Sequence, residues 1–360
     1  MSDSPLTACS EPDNASSKQP PHISVVIGSY NGERTIDAAL KSITTQRTEV
    51  AYEVIVINDA STDATLEIAQ NYNVKIVTLP VNSGHGVTLN VGLQEAKGEF
   101  MALMDDDCVP PPNWVESIAN AWKSVEGEVT MIGGLVEPLE TNTFNRRYVE
   151  FRRPIVHQED SINETSGFWR RLAYVLISPS PKFNRRSIYY AVGANMSVRV
   201  SAAKFAGGFT KARGAGEEES LAKPLRKIFG TSTIQLFPEI LMHHNFHPSL
   251  MDTFRRSQSY GKSHGRDWIG ERDIPTILPI PGIHFLGTGL LVLVSPSASI
   301  FYFLLSPYAL YRKWANNLRR TKNFESLLYP YIQLTEEYSG NIGFLKGSVN
   351  AIRSKVMPTN

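Results

Sequence analysis

The chain has 360 residues and a formal net charge of +1, so it carries no overall basic field for nucleic acid. Its composition, 42% hydrophobic and 20% charged, is that of a folded protein with one large domain plus an appendage, or two domains. The two cysteines, Cys9 and Cys108, stand in unrelated contexts, so we expect no disulfide framework and a reducing compartment. Residues 1–21 are polar, and we expect a disordered tail there rather than a signal peptide or an anchor.

Apolar runs rich in β-branched residues alternate with amphipathic segments in the first third of the chain. The runs predict buried strands over His22–Ile27, Glu53–Ile57, Val74–Leu79 and Phe100–Met104. Helices are predicted through Ile36, Leu40 and Ile43, through Leu66 and Ile68, over Val87–Ala96, and from Pro111 or Pro112 through Trp114, Ile118 and Trp122. This alternation implies right-handed crossovers and a mostly parallel sheet, so the predicted fold class is α/β.

Polar residues follow three of these strands, near Ser29, Asp59 and Asp105. The carboxyl ends of parallel strands share one edge of a sheet, where ligands bind in open α/β folds. Any one of the three residues alone would be ordinary turn or capping chemistry. No G-x-G-x-x-G fingerprint follows the first strand, which disfavours a dinucleotide-dependent dehydrogenase.

The acidic run Asp105, Asp106 and Asp107 directly follows the fourth strand. Adjacent carboxylates repel one another unless a cation or solvent screens them. Asp105 and Asp107 fall on the same side of an extended chain, because side chains alternate with period two. That arrangement suits a hard divalent cation that bridges protein oxygens to a diphosphate. The alternative is a solvated acidic turn.

Several segments, taken in order, resemble the inverting family 2 glycosyltransferases of the GT-A fold, whose Rossmann-like sheet is flanked by helices. The resembling segments are 24–31, 54–63, 82–84 with 90–93, 96–100, the D-x-D-like 105–107, 193–197 with 207–209, and 216–218 at the position of Gly-Glu-Asp. The resemblance covers about Ile23 to Leu250. The chain departs from the family pattern at Gly28-Ser29, at Asn58-Asp59-Ala60, at Leu89 in place of Arg, and at Glu218 in place of Asp. No Gln-x-x-Arg-Trp motif follows, so nothing suggests a processive polymer synthase.

The resemblance implies a metal-dependent transferase that moves a sugar from a nucleotide-diphosphate sugar to an acceptor hydroxyl of a glycan or lipid-linked acceptor, for cell-surface glycan or glycolipid synthesis. Mg²⁺ or Mn²⁺ would be the cofactor. The implied metal ligands are Asp107 and His244, the latter chosen by counting back from Pro248-Ser249-Leu250. The implied nucleotide-sugar residues are Ser29, Tyr30, Asp59, Asp105 and Asp106, with Tyr30 stacking on the base, Asp59 bonding its edge and Asp105 holding the ribose. Glu218 would be the catalytic base.

Each assignment has a structural alternative. Tyr30 could be a packed ring, Asp59 a helix-capping acid and His244 an ordinary hydrogen-bonded histidine. Glu218 lies in an acidic run that could be a solvated face, although clustered like charges raise a carboxyl pKa and improve a base. The alternative function is a non-catalytic nucleotide-sugar-binding protein that kept the GT-A fold.

The C-terminal third contains a stretch without charged residues from Ile274 to Tyr311. Its apolar halves, Ile283–Val294 and Ile300–Leu310, are each shorter than a membrane-spanning helix, which needs about 20 residues. The basic flanks are Arg255, Arg256, Lys262, Arg266 and Arg272 before the stretch, and Arg312, Lys313, Arg319 and Arg320 after it. We expect a hairpin that dips into one leaflet at the cytoplasmic face of the membrane, with Trp268, Tyr308, Tyr311 and Trp314 near the headgroups. The alternative is a buried hairpin or a dimer interface.

The expected organisation is therefore a tail over 1–21, a GT-A glycosyltransferase domain over 22–250, and a helical, membrane-associated region over 251–360.

Overall fold

The computed structural model describes residues 22–125, 128–152, 184–210, 216–271 and 279–356, so the predicted N-terminal tail lies outside the described residues. The strands are β1 (Ile23–Ser29), β2 (Tyr52–Asn58), β3 (Lys75–Thr78), β4 (Phe100–Leu103), β5 (Cys108–Val109), β6 (Met131–Pro138), β7 (Arg186–Ser187), β8 (Met196–Arg199) and β9 (Ile234–His244). The helices are α1 (Ile36–Thr44), α2 (Thr65–Ala69), α3 (His85–Glu95), α4 (Trp114–Ser124), α5 (Phe144–Arg152), α6 (Val200–Phe205), α7 (Glu217–Phe229), α8 (Leu250–Glu271), α9 (Pro279–Val294), α10 (Pro296–Leu310), α11 (Lys313–Thr321) and α12 (Tyr329–Val356).

One sheet organises the first two thirds of the chain, in the order β3-β2-β1-β4-β8-β6-β9-β5, with β7 pairing to β9. The chain adds β2 and β3 on one side of β1 and then returns to add β4 on the other side, parallel to β1, so the strand order switches between β1 and β4. Such a switch point opens a crevice at the carboxyl ends of the strands. The predicted α/β class with a mostly parallel sheet is confirmed. The antiparallel insertion of β8 between β4 and β6 was not predicted.

Apolar layers cover both faces of the sheet. Strand β1 is buried almost throughout, as expected for a strand with helices on both sides. Helix α1 buries Ile36, Ala39, Leu40 and Ile43 on a single face, in keeping with the helical period. Helices α1 and α4 pack on one side of the sheet, and α3 and α7 pack on the other.

The buried Asn195 joins elements that are distant in sequence. Its Oδ1 accepts a hydrogen bond from Trp114 Nε1 at 2.8 Å. Its Nδ2 donates to the backbone oxygens of Leu135 at 2.8 Å and Ile240 at 2.9 Å. Because these partners lie on α4, β6 and β9, Asn195 links the three elements through its side chain.

Every described element after β9 is helical, beginning with α8. Helices α8 and α12 pack backbone against backbone along glycines at a spacing of four, Gly261 and Gly265 on α8 and Gly343 and Gly347 on α12. A Cβ added at Gly265 would lie 2.1 Å from the carbonyl oxygen of Phe344, so this contact admits no side chain. Helices α9 and α10 form the predicted hairpin. None of the helices in the described ranges is both long and apolar enough to cross a membrane.

Candidate active site

The polar strand ends meet at the switch-point edge of the sheet. Ser29, the last residue of β1, donates a side-chain hydrogen bond to Oδ2 of Asp106, and its carbonyl accepts from the Asp59 amide at 2.8 Å. A Cβ on Gly32 would lie 2.2 Å from the same Asp106 oxygen, so the loop after β1 approaches the acidic run too closely for a side chain. The three predicted strand ends therefore border one crevice.

The acidic run and His244 converge because β5 pairs antiparallel with the end of β9. This register sets Cys108 opposite His244, and the Asn245 amide donates to the Asp107 carbonyl at 2.8 Å. Nε2 of His244 lies 3.3 Å from Asp107 Oδ1 and 3.9 Å from Asp105 Oδ2. The potential ligand atoms of these four side chains all lie within 4.8 Å of one another.

Burial and mutual repulsion make these carboxylates costly to ionise. Burial, followed by the charges of Asp105 and Asp106, raises the pKa of Asp107 to about 8. Burial also raises the pKa of Asp106 to about 6, against the hydrogen bond from Ser29, which lowers it. Carboxylates forced together in this way are stabilised by a cation, so the residues present fit a divalent metal.

The other two members of the cluster differ in their suitability as ligands. Burial and the charge of Arg256 lower the pKa of His244 to about 4, so its ring is neutral, as a metal ligand must be. Among the described residues Nδ1 of His244 has no hydrogen-bond partner, and Nε2 is the nitrogen that faces the carboxylates. Burial and the nearby acids raise the pKa of Cys108 well above its usual value, which keeps the thiol protonated and disfavours it as a ligand.

Tyr30 and Asp59 directly follow β1 and β2 at the same edge of the sheet. Asp59 is buried, and its two carboxylate oxygens accept the backbone N–H groups of Ser83 at 2.7 Å and Gly84 at 2.9 Å. It thereby fixes the loop that leads into α3 instead of capping α2. Tyr30 is 49% exposed, so its ring is not packed into the core.

Glu218 lies in the first turn of α7, which begins after Gly216 in the left-handed region at φ +101°. Its Oε1 accepts the backbone N–H of Gly193 at 3.0 Å, and a Cβ on Gly193 would lie 2.3 Å from that oxygen. Burial raises the pKa of Glu218 to about 7, with further contributions from Glu217 and Asp105, while His85 lowers it. A carboxylate with a pKa near neutrality is suited to accept a proton from a hydroxyl.

The neighbours of Glu218 in the acidic run have other surroundings. Glu217 is buried, and burial raises its pKa. Glu219 forms an ion pair with Lys223 at 3.6 Å and lies 4.0 Å from Nδ1 of His264. The run is therefore not a uniformly solvated face.

His85 is a site residue that the sequence interpretation missed. It begins α3, and its Nδ1 would lie 3.5 Å from a Cβ on Gly28 near the end of β1. Its charge lowers the pKa values of Asp106, Glu217 and Glu218, so it stands between the acidic run and the start of α7. The sequence does contain an indication of this residue. His85 follows β3, and the carboxyl end of that strand lies at the same edge of the sheet as the three strand ends used in the prediction.

Arg256 on α8 is a second missed residue, since the sequence interpretation treated it only as part of a basic flank. Its guanidinium lies 5.7 Å from the ring centroid of Phe246, which in turn stacks on His244 at 4.2 Å. Its charge lowers the pKa values of Asp107 and His244. No local sequence pattern indicates this approach, because it depends on how α8 crosses the crevice.

Comparison with known proteins agrees with this geometry. Residues 24–193 match the family model described as glycosyl transferase family 2. Over these residues the chain is similar to the family 2 glycosyltransferases. The matched residues include β1 through β4, the acidic run and Gly193, and the match confirms the family resemblance that the sequence motifs indicated.

Curated relatives support the same family over part of the chain. An uncharacterized glycosyltransferase of Haemophilus influenzae is 33% identical over 150 residues, which cover 39% of this chain and 46% of the relative. Glycosyltransferase AglE of Haloferax volcanii is 31% identical over 140 residues, 36% of this chain and 45% of the relative. The matched part therefore spans less than half the length of these relatives.

A solved structure shares the fold over nearly the whole chain. The mannosyltransferase PcManGT from Pyrobaculum calidifontis, solved in complex with GDP-Man and Mn²⁺, superposes with a TM-score of 0.51 at 17% identity. The match covers 94% of this chain and 89% of that protein. At this identity it establishes the GT-A-like fold.

Proposed function

We propose that this protein is a metal-dependent, inverting glycosyltransferase that moves a sugar from a nucleotide-diphosphate sugar to an acceptor hydroxyl. The observation that carries the proposal is the convergence of the acidic run with His244 at the switch-point edge, with the shielded Glu218 bordering the same crevice. The fold neighbour solved with GDP-Man and Mn²⁺ supports it. The acceptor is a glycan or a lipid-linked molecule.

The acidic run serves the donor end of the crevice. Asp107 and His244 would hold the cation, with Asp105 turned toward the ribose and Asp106 held by Ser29. A cation bound there would supply charge neutralisation for the diphosphate leaving group. Because an imidazole nitrogen joins the oxygen ligands, Mn²⁺ suits this set better than Mg²⁺, which takes oxygen ligands.

Glu218 serves the acceptor end. Its carboxylate takes the proton from the acceptor hydroxyl while that oxygen bonds to the anomeric carbon. The bond from the anomeric carbon to the diphosphate oxygen breaks on the opposite side, which inverts the configuration. Donation from the Gly193 N–H fixes Oε1 at 3.0 Å, so the other oxygen is free to face the acceptor.

The alternative is a nucleotide-sugar-binding protein without catalysis, which the departures at Asn58, Leu89 and Glu218 would favour. A thermal-shift screen of nucleotide sugars with Mn²⁺, Mg²⁺ or EDTA identifies the donor, and a labelled form of that donor is then followed for transfer or hydrolysis. Cation-dependent donor binding with turnover supports the transferase. Donor binding without release of nucleotide diphosphate, tested across lipid and glycan acceptors, would favour the binding protein.

A further inference from the structure

The hairpin of α9 and α10 presents an apolar surface that the proposed chemistry does not use. Eleven large apolar side chains of the hairpin are at least 48% exposed: Phe285, Leu286, Leu290, Val292, Leu293, Val294, Ile300, Phe301, Phe303, Leu304 and Leu305. Exposure is greatest at the tip, at 84% for Leu293 and 82% for Val294. Contiguous exposed apolar surface of this kind marks an interaction site.

Polar side chains between the two helices of the hairpin are paired with one another, and at the tip the hydroxyls of Ser295 and Ser297 lie 3.0 Å apart. Nδ1 of the buried His284 lies 2.8 Å from Oγ of Ser306 across the two helices. Ser299 donates to the carbonyl of Thr288 at 2.9 Å, and the Thr288 hydroxyl donates back to the His284 carbonyl at 2.7 Å. Apart from the serines at the tip, the outer surface is therefore apolar while the polar side chains between the helices are hydrogen-bonded, which is the requirement for contact with hydrocarbon.

A basic segment adjoins the base of the hairpin. Residues 312–322 contain five Lys or Arg residues and no acidic residue. Arg312, Arg319, Arg320 and Lys322 are exposed. Basic residues beside an apolar insertion favour a surface of anionic lipids, at about 1 kcal/mol per charge near the membrane.

Aromatic rings mark the boundary between the apolar and basic parts. Tyr308, near the end of α10, packs edge-on against Trp314 at 5.1 Å and against Tyr331 at 5.5 Å. Trp314 Nε1 donates to the Tyr308 carbonyl at 3.0 Å. Tyr and Trp concentrate at this level of a bilayer, where one end of the ring is apolar and the other is wet.

Two other aromatics expected near the headgroups lie elsewhere. Tyr311 is buried and donates to Glu337 at 2.8 Å, and Trp268 stacks on Phe344 between α8 and α12. Both residues hold the helices together, so the predicted headgroup contact of Tyr311 is wrong.

We infer that the α9–α10 hairpin inserts into one leaflet of an anionic lipid bilayer and holds the protein at the membrane surface. A second copy of the chain is a poorer occupant, because the exposed residues of α9 include the adjacent pairs Phe285-Leu286 and Leu293-Val294 and so do not form one stripe. A bilayer surrounds such a hairpin, whereas an isologous protein interface covers one face of it. The charge complementarity of residues 312–322 selects the lipid.

Flotation of the full-length protein with vesicles tests the inference directly. We expect the wild type to float with phosphatidylglycerol–phosphatidylcholine vesicles and less with pure phosphatidylcholine. Phe285→Asp combined with Leu293→Asp should lower the partition coefficient at least tenfold. Phe205→Asp is the matched control, because Phe205 lies on α6 and is 73% exposed, close to the 69% of Phe285. Arg319→Gln combined with Arg320→Gln should lower binding to anionic vesicles by on the order of tenfold, whereas binding to neutral vesicles should be unchanged.

Insertion is read independently from Leu293→Trp in vesicles that carry brominated acyl chains. Bromine quenches the fluorescence of a nearby tryptophan, so quenching of the variant beyond that of the wild type supports entry of the hairpin tip into the bilayer. The control Phe205→Trp should show no additional quenching. The inference is overturned if the wild type does not float, if Phe205→Asp reduces flotation as much as the hairpin variant, or if lipid-free protein forms a dimer that the hairpin variant dissociates. None of these readouts depends on transferase activity.

Discussion

Replacing Glu218 with Gln should lower turnover strongly and, at the same time, stabilise the folded protein at neutral and higher pH. Gln keeps the shape and an oxygen that can accept the Gly193 N–H, which lies 3.0 Å from Oε1 in the wild type. It cannot take a proton from an acceptor hydroxyl. Loss of a general base typically lowers the rate by about 10²–10⁴ while donor binding is retained.

The stability gain follows from the raised pKa. In the unfolded chain Glu218 ionises with the ordinary glutamate pKa of 4.5, whereas in the folded protein burial raises the pKa to about 7. As pH rises between these values the unfolded state loses the proton first, so the folded state loses stability across that window. Above the folded pKa the cost is complete and amounts to at most about 3 kcal/mol, at 1.36 kcal/mol per pKa unit. Gln carries no such cost.

The measurement is urea unfolding of both proteins at pH 4, 6 and 8 in EDTA, with turnover followed in parallel with the cation restored. The free energies of unfolding should be similar at pH 4, and the variant should be the more stable by up to about 3 kcal/mol at pH 8. Glu219→Gln serves as the control, since this side chain is engaged by Lys223 and should give no comparable gain. A variant that keeps near-wild-type turnover, or that is less stable than the wild type at pH 8, would refute the role and the electrostatic argument respectively.

Three further outcomes are expected. Asp107→Asn should remove cation-dependent donor binding in calorimetry while the circular dichroism spectrum is unchanged; unaltered donor affinity with the cation present would exclude Asp107 as a ligand. His85→Gln should move the acidic limb of the pH profile of kcat/KM upward, because the charge that lowers the pKa of Glu218 is lost; an unshifted limb would contradict that placement. Gly265→Ala should destabilise the C-terminal helices by about 1–3 kcal/mol through overpacking, whereas Gly270→Ala on the same helix, with open space around it, should be neutral or slightly stabilising; equal effects would disprove the close contact.

The sequence predicted the N-terminal architecture because the local patterns and the global fold agree there. The β-branched run of β1 and the helical spacing of Ile36, Leu40 and Ile43 in α1 indicated the correct element types, with ends within a few residues of those observed. The polar residues after β1, β2 and β4 then indicated the crevice. His85 was missed because it follows β3, and no residue after that strand was among the predicted site residues.

The remaining features depend on contacts between distant residues. The pairing of β5 with β9 brings His244 to the acidic run across more than 130 positions, and only the resemblance suggested that residue. Arg256 reaches the same cluster by the path of α8, which no periodicity specifies. Ala60 adopts φ +59° where the family often has Gly, a local strain that composition cannot reveal.

Three partly or fully buried carboxyl groups at this edge are stabilised by three different sets of partners. Asp106 is held by the Ser29 hydroxyl, Asp107 faces a neutral imidazole and the charge of Arg256, and Glu218 is bonded by a backbone amide and lies within the field of His85. On a solvated surface none of these specific partners would be needed, because water would stabilise each carboxylate in the same way. Neutral substitutions should therefore separate the roles: loss of cation binding at Asp107 with turnover falling as a consequence, and loss of turnover at Glu218 with cation and donor binding intact. This separation distinguishes a catalytic centre from an acidic pocket that only binds.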